Sequence, residues 1–444
     1  MTRLTKPRDP LRLPRRLLGG GSARQKKAVA WGFIDQALSS ATNFGLSVLA
    51  GRLLGPQGLG TVFLAFSVYL IALMLQRSLL TETLLAVTSA LDPEERAKTA
   101  GRGLTMSLLG AVLATGLVMA LAVVTTGVIG TALFLIAPWL LGALVQDFWR
   151  SLLFREGRAS VAAVNEAVWL VVMALAVPIC WKIGTDAAVM AAWGLGACGG
   201  AVVGFWQTRV LPSRVRDAWA WWSKKAWPFG RWNAATSIVT AVASNIEAFV
   251  LVRIIGAGAL GGFRAVQSLF APLSLIAPAV GLPGLPAIAR AYADDFHRAR
   301  SLAFGISGIA VAASIGFFAF LFLGGWRLLT ALFGAEFEQY RDLMVPVAIG
   351  QMFAAAAVGL ELLIKVQQRG RFLLFSRLFV VVFGLVLVAI GAAAFGLTGA
   401  AWATAVWLLL RAITLGLGVL RDPGSRRQSA PRPGGGSDPK SRRS

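Results

Sequence analysis

The sequence predicts an all-α polytopic membrane protein, with about 12 transmembrane helices in two parallel, pseudo-symmetric six-helix lobes around a central cavity. Three observations carry this expectation. The 444 residues are 57% hydrophobic and 14% charged, with a mean hydropathy of +0.70, a composition unlike that of a soluble domain. Apolar runs of about 20 residues, the length that a hydrocarbon layer of ~30 Å demands of a helix, recur along the whole chain. A hinge segment also occurs twice. Gly51-Arg52-Leu53-Leu54-Gly55-Pro56-Gln57-Gly58-Leu59-Gly60 returns as Val252-Arg253-Ile254-Ile255-Gly256-Ala257-Gly258-Ala259-Leu260-Gly261, so Arg52 falls on Arg253, Gly55 on Gly256 and Gly60 on Gly261 at a constant spacing of 201 residues.

Taken in order, residues 1–29 form a basic tail broken by prolines and by Gly19-Gly20-Gly21. It lacks the apolar core and cleavage site of a signal peptide and is expected to be cytoplasmic and disordered. An N-terminal lobe follows at 30–209, with spans at 30–50, 57–86, 103–126, 131–149, 160–181 and 187–208. The linker at 210–232 places Trp219, Trp221, Trp222 and Trp227 among lysines and arginines, a pattern suited to a helix in the headgroup layer. The C-terminal lobe, 233–420, has spans at 233–254, 259–285, 301–324, 343–365, 372–394 and 397–419, with an inserted interfacial helix around Leu328 to Arg341. The tail at 421–444 is rich in Pro, Gly, Ser and Arg and is expected to be disordered.

The net charge of +23 is concentrated in the tails and in every second loop, as at Arg96-Lys98-Arg102, Arg150-Arg155-Arg158 and Lys365-Arg369-Arg371. This is the positive-inside bias, which puts both termini and the linker in the cytoplasm and requires an even number of spans. A charge so distributed argues against nucleic acid as a partner. Beyond the third span the repeat continues at a wider offset, with Glu156-Gly157-Arg158 matched to Arg369-Gly370-Arg371 and Ala191-Ala192-Trp193 to Ala400-Ala401-Trp402. Both halves therefore run in the same membrane orientation.

Polar residues inside the spans are the candidates for function. Asp35, Ser39, Thr42, Asn43 and Ser47 fall within about 140° of one another on a helical wheel, and Thr236, Thr240, Ser244 and Glu247 make a second stripe in the matching span. Hydroxyls alone also serve simply to pack membrane helices. An acid well inside a span, as Glu247 is, usually faces a cavity or a partner; Asp35 lies nearer the cytoplasmic end. Arg52 and Arg253 close the outer ends of spans 1 and 7, and Arg264 lies in the first turns of span 8. Together these arginines would form a cationic wall suited to a phosphate or pyrophosphate. Glu361 and Lys365, four residues apart, read as an ion pair within one helix.

Enzymatic chemistry and metal binding find little support. Cys180 and Cys198 sit in apolar runs, and His297 lies in a charged loop without ligand partners, so no metal site or cofactor is expected. The Asp294-Asp295-Phe296-His297 stretch lacks the second acidic cluster that a prenyltransferase needs.

The order and spacing of Arg52-Leu53-Leu54-Gly55-Pro56-Gln57-Gly58-Leu59-Gly60, Leu332-Phe333-Gly334, Gly370-Arg371 and Gly396-Leu397-Thr398-Gly399-Ala400-Ala401 resemble those of bacterial polysaccharide-unit flippases of the Wzx type. These belong to the superfamily of the MATE drug exporters. The resemblance spans about residues 30 to 420 and implies a MATE-like fold in a bacterial cytoplasmic membrane. It also implies flipping of a polyprenyl-diphosphate-linked oligosaccharide by alternating access, beside a polymerase and glycosyltransferases of the same pathway. From the polar stripes and the arginines, the candidate cavity residues are Asp35, Ser39, Asn43, Arg52, Thr240, Ser244, Glu247, Arg253 and Arg264, and their position inside the spans makes Glu247 or Asp35 the candidates for coupling to protons or sodium. A MATE-like cation-coupled drug exporter is the alternative; it would favour acids over arginines in its cavity.

Overall fold

The computed structural model describes residues 23–84 and 92–420; both tails expected to be disordered fall largely or wholly outside that range. The described chain is built of helices: α1 Ala23–Gln76, α2 Pro93–Val124, α3 Gly127–Arg155, α4 Ala159–Ile183, α5 Asp186–Thr208, α6 Val215–Trp221, α7 Trp227–Leu269, α8 Ile276–Asp294, α9 Phe296–Phe320, α10 Arg327–Phe333, α11 Met344–Val366 and α12 Gly370–Leu420. Among the described residues, nine stretches are long and apolar enough to cross a membrane. Two of these, Ala30–Leu84 with 55 residues and Gly370–Leu420 with 51, are long enough to cross twice. This is an all-α polytopic membrane protein.

The double-length helices break where the sequence allows it. In α1 the break is Gly55 (φ 65°, ψ −168°) and in α7 it is Gly256 (φ 87°, ψ 170°), the two glycines matched by the 201-residue repeat. Both occupy a backbone region that is essentially glycine-only, because a Cβ there collides with the chain's own carbonyl. Pro56 then starts the next helix where its missing N–H costs nothing. The third break, Phe395–Gly396 in α12, separates the last two spans.

Span 8 differs from the expected single run. Its helix stops at Leu269, passes through a 3-10 turn at Ala271–Leu275 and resumes as α8 through Asp294. Pro272 supplies the reason, since proline removes a backbone donor and its ring crowds the carbonyl four residues back. The Asp294-Asp295 pair also acquires a structural role: Asp295 is the N-cap of α9, its carboxylate accepting from the His297 amide at 3.0 Å.

The chain separates into two compact units, one of Met1–Leu46, Ala72–Thr126 and Leu133–Ala234, the other of Ser47–Ile71, Gly127–Ala132 and Ala235–Ser444. The first unit has a core of Leu80, Leu84, Leu104, Phe148, Trp149 and Leu152, closed by Trp221 and Ala226 from the linker. Linker helix α6 thus buries Ala218 and Trp221 and leaves Trp219 exposed with Arg214 and Arg216. The second unit is centred on Ile288, Ala303, Leu360, Leu363, Ile364 and Leu415, where α8, α9, α11 and α12 meet.

The first hinge belongs to the second unit because it packs on the second hinge, backbone against backbone. A Cβ added to Gly60 would lie 1.8 Å from the Ala257 carbonyl oxygen, and one added to Gly261 would lie 1.9 Å from that of Pro56. Gly60 and Gly261 are repeat equivalents, as are Pro56 and Ala257, so this contact is itself two-fold symmetric. The insertion expected near Leu328 to Arg341 is present as α10 and a 3-10 segment, Ala335–Leu343, and it fastens both hinges. Arg52 donates to the carbonyls of Ala331 and Leu332, while the Tyr340 hydroxyl donates to the Gly258 carbonyl at 3.2 Å.

Candidate functional site

In the first unit an ionic cluster crosses α1, α3 and α4. The Arg150 guanidinium forks onto Asp35, with Nε 2.9 Å from Oδ2 and 3.1 Å from Oδ1, and the same Nε lies 3.9 Å from Glu166. Gln146 donates to both Asn165 (3.0 Å) and Glu166 (3.1 Å), and the Ser39 hydroxyl hydrogen-bonds Glu166. One turn away, Arg77 forks onto Asp147. Asp35 is only 1% exposed, and the fork supplies the hydrogen bonds and counter-charge that such burial otherwise denies a carboxylate. The described part of α1 extends to Ala23, about three turns before Asp35, while its apolar span begins at Ala30.

In the second unit the corresponding cluster is organised by an acid. Glu361 on α11 receives Arg377 at 2.6 Å, Arg411 at 2.7 Å and Lys365 at 2.9 Å. The Glu361–Lys365 pair was legible from spacing; the two arginines from α12 were not. A cavity of about 280 Å³ opens beside them, lined among others by Glu247, Ser376, Thr404, Trp407 and Thr414. Glu247 is buried and accepts a hydrogen bond from the Thr404 hydroxyl at 2.9 Å.

Arg264 lies over the Phe63 ring with its guanidinium carbon 3.9 Å from the centroid, and donates to Gln267 at 2.6 Å. Its Nε is buried without a hydrogen-bond partner among the described residues. Cation–π contact with an aromatic face holds such a charge in place, and the Glu247 carboxylate is near enough to act on it electrostatically.

The structure therefore sorts the expected residues. Asp35 and Ser39 meet in the Arg150–Glu166 cluster, whereas Asn43 is exposed. Arg52 does not present an open cationic head, because its donors cap the C-terminal carbonyls of α10. Arg253 is exposed, and the side chains of Thr240 and Ser244 lie outside the described residues. Glu247 and Arg264 are both within the second unit. Sequence reasoning missed Arg150, Glu166, Arg377, Arg411 and Thr404 as members of polar clusters.

The signal that would have found three of them, Arg150, Glu166 and Arg377, is the repeat in its correct register. The α3–α4 and α11–α12 turns match at Gly157 (φ 71°) and Gln368 (φ 56°), not at Gly157 and Gly370. Arg158 then donates to the Gln207 carbonyl (3.0 Å) as Arg369 does to that of Gly418 (2.6 Å), both pairs being 211 residues apart. In that register Arg150 falls on Glu361 and Glu166 on Arg377.

No family model and no curated protein matches the chain by sequence. Solved structures do match by fold. One is the lipid II flippase MurJ in an inward closed conformation, with a TM-score of 0.72 at 13% identity over 89% of this chain and 88% of that one. An inward-facing multidrug resistance MATE transporter of the MOP superfamily gives 0.68 at 15% identity, covering 90% and 99%. A MOP superfamily transporter from Pyrococcus furiosus, described as having a binding pocket of reverse polarity, gives 0.60 at 17% identity, covering 89% and 95%. The chain has the fold shared by the MurJ flippase and the MATE transporters.

Proposed function

We propose that the protein is a transporter of the bacterial cytoplasmic membrane that flips a polyprenyl-diphosphate-linked oligosaccharide to the outer leaflet by alternating access, with both termini in the cytoplasm. The observation that carries this reading is the balance of charge inside the spans. Asp35 is neutralised by Arg150 and Glu361 by Arg377 and Arg411, while Arg264 rests on an aromatic ring, offset only by the charge of Glu247, with a buried Nε that has no hydrogen-bond partner among the described residues. An exporter of cationic drugs needs acids free to receive them; a diphosphate needs the opposite. Unassisted, a diphosphate and its sugars would cross hydrocarbon at a cost of tens of kcal/mol, so a protein path is obligatory. The flippase neighbour supports the same substrate class by fold.

Gly60 and Gly261 form the outer closure in this reading, and separation of their backbones opens the exit. Glu247 is the better of the two acids for ion coupling, because its one described hydrogen-bond partner is a hydroxyl, whereas Asp35 is forked by a guanidinium. The same feature is what a cation-coupled drug exporter would use, which makes that the second reading. A strain lacking the gene separates them. Loss of surface polysaccharide with accumulation of its lipid-linked precursor supports flipping; normal polysaccharide with heightened sensitivity to cationic dyes supports drug export.

A further inference from the structure

The cavity in the second unit is polar, and its charges balance. Two carboxylates, Glu247 and Glu361, and two guanidinium groups, Arg377 and Arg411, line it; Lys365 also reaches Glu361, at 2.9 Å, but is not part of the lining. Both oxygens of Glu361 are taken, Oε1 by Arg377 at 2.6 Å and Oε2 by Arg411 at 2.7 Å. Each arginine uses one nitrogen for this bond, whereas a guanidinium carries five N–H donors, and both side chains stay partly open, at 31% and 39% exposure.

Acceptors line the same space. The hydroxyls of Ser376 and Thr414 donate to carbonyls of their own helix, at Leu373 (3.1 Å) and Leu410 (2.7 Å), which leaves oxygen lone pairs for an incoming donor. Glu247 adds a carboxylate beside the Thr404 hydroxyl. Trp407 supplies an apolar plane: it is half-buried and seated on the bare backbone of Gly384, where an added Cβ would lie 2.4 Å from the ring. Thr404, Trp407, Arg411 and Thr414 recur every three or four residues, so one face of the last span sets hydroxyl, indole, guanidinium and hydroxyl in a row about 15 Å long.

Such a lining selects by exclusion. A cationic ligand finds Glu361 already occupied, and an anion finds no uncompensated cation. An apolar ligand would strip water from ion pairs and hydroxyls without replacing its hydrogen bonds. A neutral molecule rich in hydroxyls satisfies donors and acceptors together, and its C–H surface packs on an indole. The volume of about 280 Å³ lies just below the ~300 Å³ at which pockets for drug-sized ligands begin, so the occupant is small.

We infer that this cavity is a saccharide subsite for one uncharged pyranose ring, with Arg377 and Arg411 donating to its hydroxyls, Glu247 accepting from them and Trp407 packed on its C–H face. Glu361 is a positioning residue that holds the two guanidinium groups in place. The subsite rests on, and deepens, the reading of the cargo as a lipid-linked oligosaccharide: the protein recognises a sugar as well as the diphosphate.

The test uses the full-length chain in phosphatidylcholine nanodiscs, the neutral methyl glycosides of glucose, galactose, mannose and N-acetylglucosamine, and saturation-transfer NMR, with empty nanodiscs as the blank. At least one glycoside should bind saturably in the millimolar range expected of so small a ligand, and its ring C–H protons should receive the strongest transfer. Anionic methyl glucuronide and cationic methyl glucosaminide should each bind more weakly than the best neutral sugar, a comparison made on the intact protein. Trp407→Ala should abolish the signal and Trp407→Phe restore part of it. Arg377→Gln and Arg411→Gln should each weaken binding about tenfold, while Lys98→Gln, on an exposed helix turn, leaves it unchanged. Binding by none of the neutral glycosides, binding that survives Trp407→Ala, or tighter binding of a charged sugar overturns the subsite. Lipid movement in proteoliposomes without glycoside binding would sink the subsite alone, whereas glycoside binding without lipid movement would sink the reading of the cargo and leave the subsite standing.

Discussion

The two halves of the chain place an inter-helix ion pair at the same point of the repeat and give it opposite polarity. In the first half the cation is on α3, where Arg150 faces the acids of α1 and α4; in the second the acid is on α11, where Glu361 faces the cations of α12. Backbone features of the repeat are retained: Gly55 and Gly256 adopt the same rare conformation, Gly60 and Gly261 make reciprocal contacts, and Arg158 and Arg369 cap equivalent carbonyls. Geometry is thus duplicated while charge is not. The constraint on the backbone comes from packing and from φ/ψ, and both halves must satisfy it. An ion pair needs only that opposite signs meet, so the direction of the pair is free to differ.

The strongest way to break this comparison is to remove the organising residue of each cluster. Arg150→Ala leaves two buried carboxylates without their cation and is expected to cost about 3–5 kcal/mol, read as a lowered unfolding temperature in detergent. Glu361→Ala, in the more exposed cluster, should cost less than half as much by the same assay. Equal effects would mean that the two clusters are equally buried in their energetics, against their difference in exposure.

The hinges should respond alike, and for two separable reasons. Gly261→Val and Gly60→Val each drive a side chain into a facing carbonyl and are expected to cost about 1–3 kcal/mol through overpacking and forced separation. Gly256→Ala meets no neighbour, since a Cβ there has nothing within 4 Å, yet it should still cost about 1–3 kcal/mol because alanine disfavours that φ/ψ. If Gly256→Ala proves silent while Gly261→Val is severe, the hinge is held by packing alone. The smallest effect belongs to Arg52→Ala, which removes a charged cap from α10 and should lower stability by about 0.3–1 kcal/mol.

The fold was legible because it rests on long apolar runs and on a hinge copied without a gap. The insertion near α10 and the Glu361–Lys365 pair were also visible, one from the widened offset and the other from helical spacing. What escaped was every ion pair between helices. Periodicity reports which face of a helix a residue occupies, not which distant helix meets it. Only the repeat links Arg150 to Glu361, and reading its second half two residues out of register concealed that link. Asp35 was undervalued for the same reason, since its partner Arg150 lies 115 residues away on α3. Arg52 was read for its charge, when the carbonyls at the end of a helix 280 residues downstream take its donors.

The account turns on a cationic path for a diphosphate headgroup, and Arg264 is its most exposed commitment. Reconstituted into proteoliposomes with a fluorescent polyprenyl-diphosphate oligosaccharide, the intact chain should move the lipid between leaflets, as reported by quenching of the newly accessible label. Arg264→Gln should slow that movement at least tenfold, and Arg264→Lys, which keeps the charge, should restore part of it. Lipid movement no faster than in empty liposomes, or unchanged by Arg264→Gln, would contradict the account.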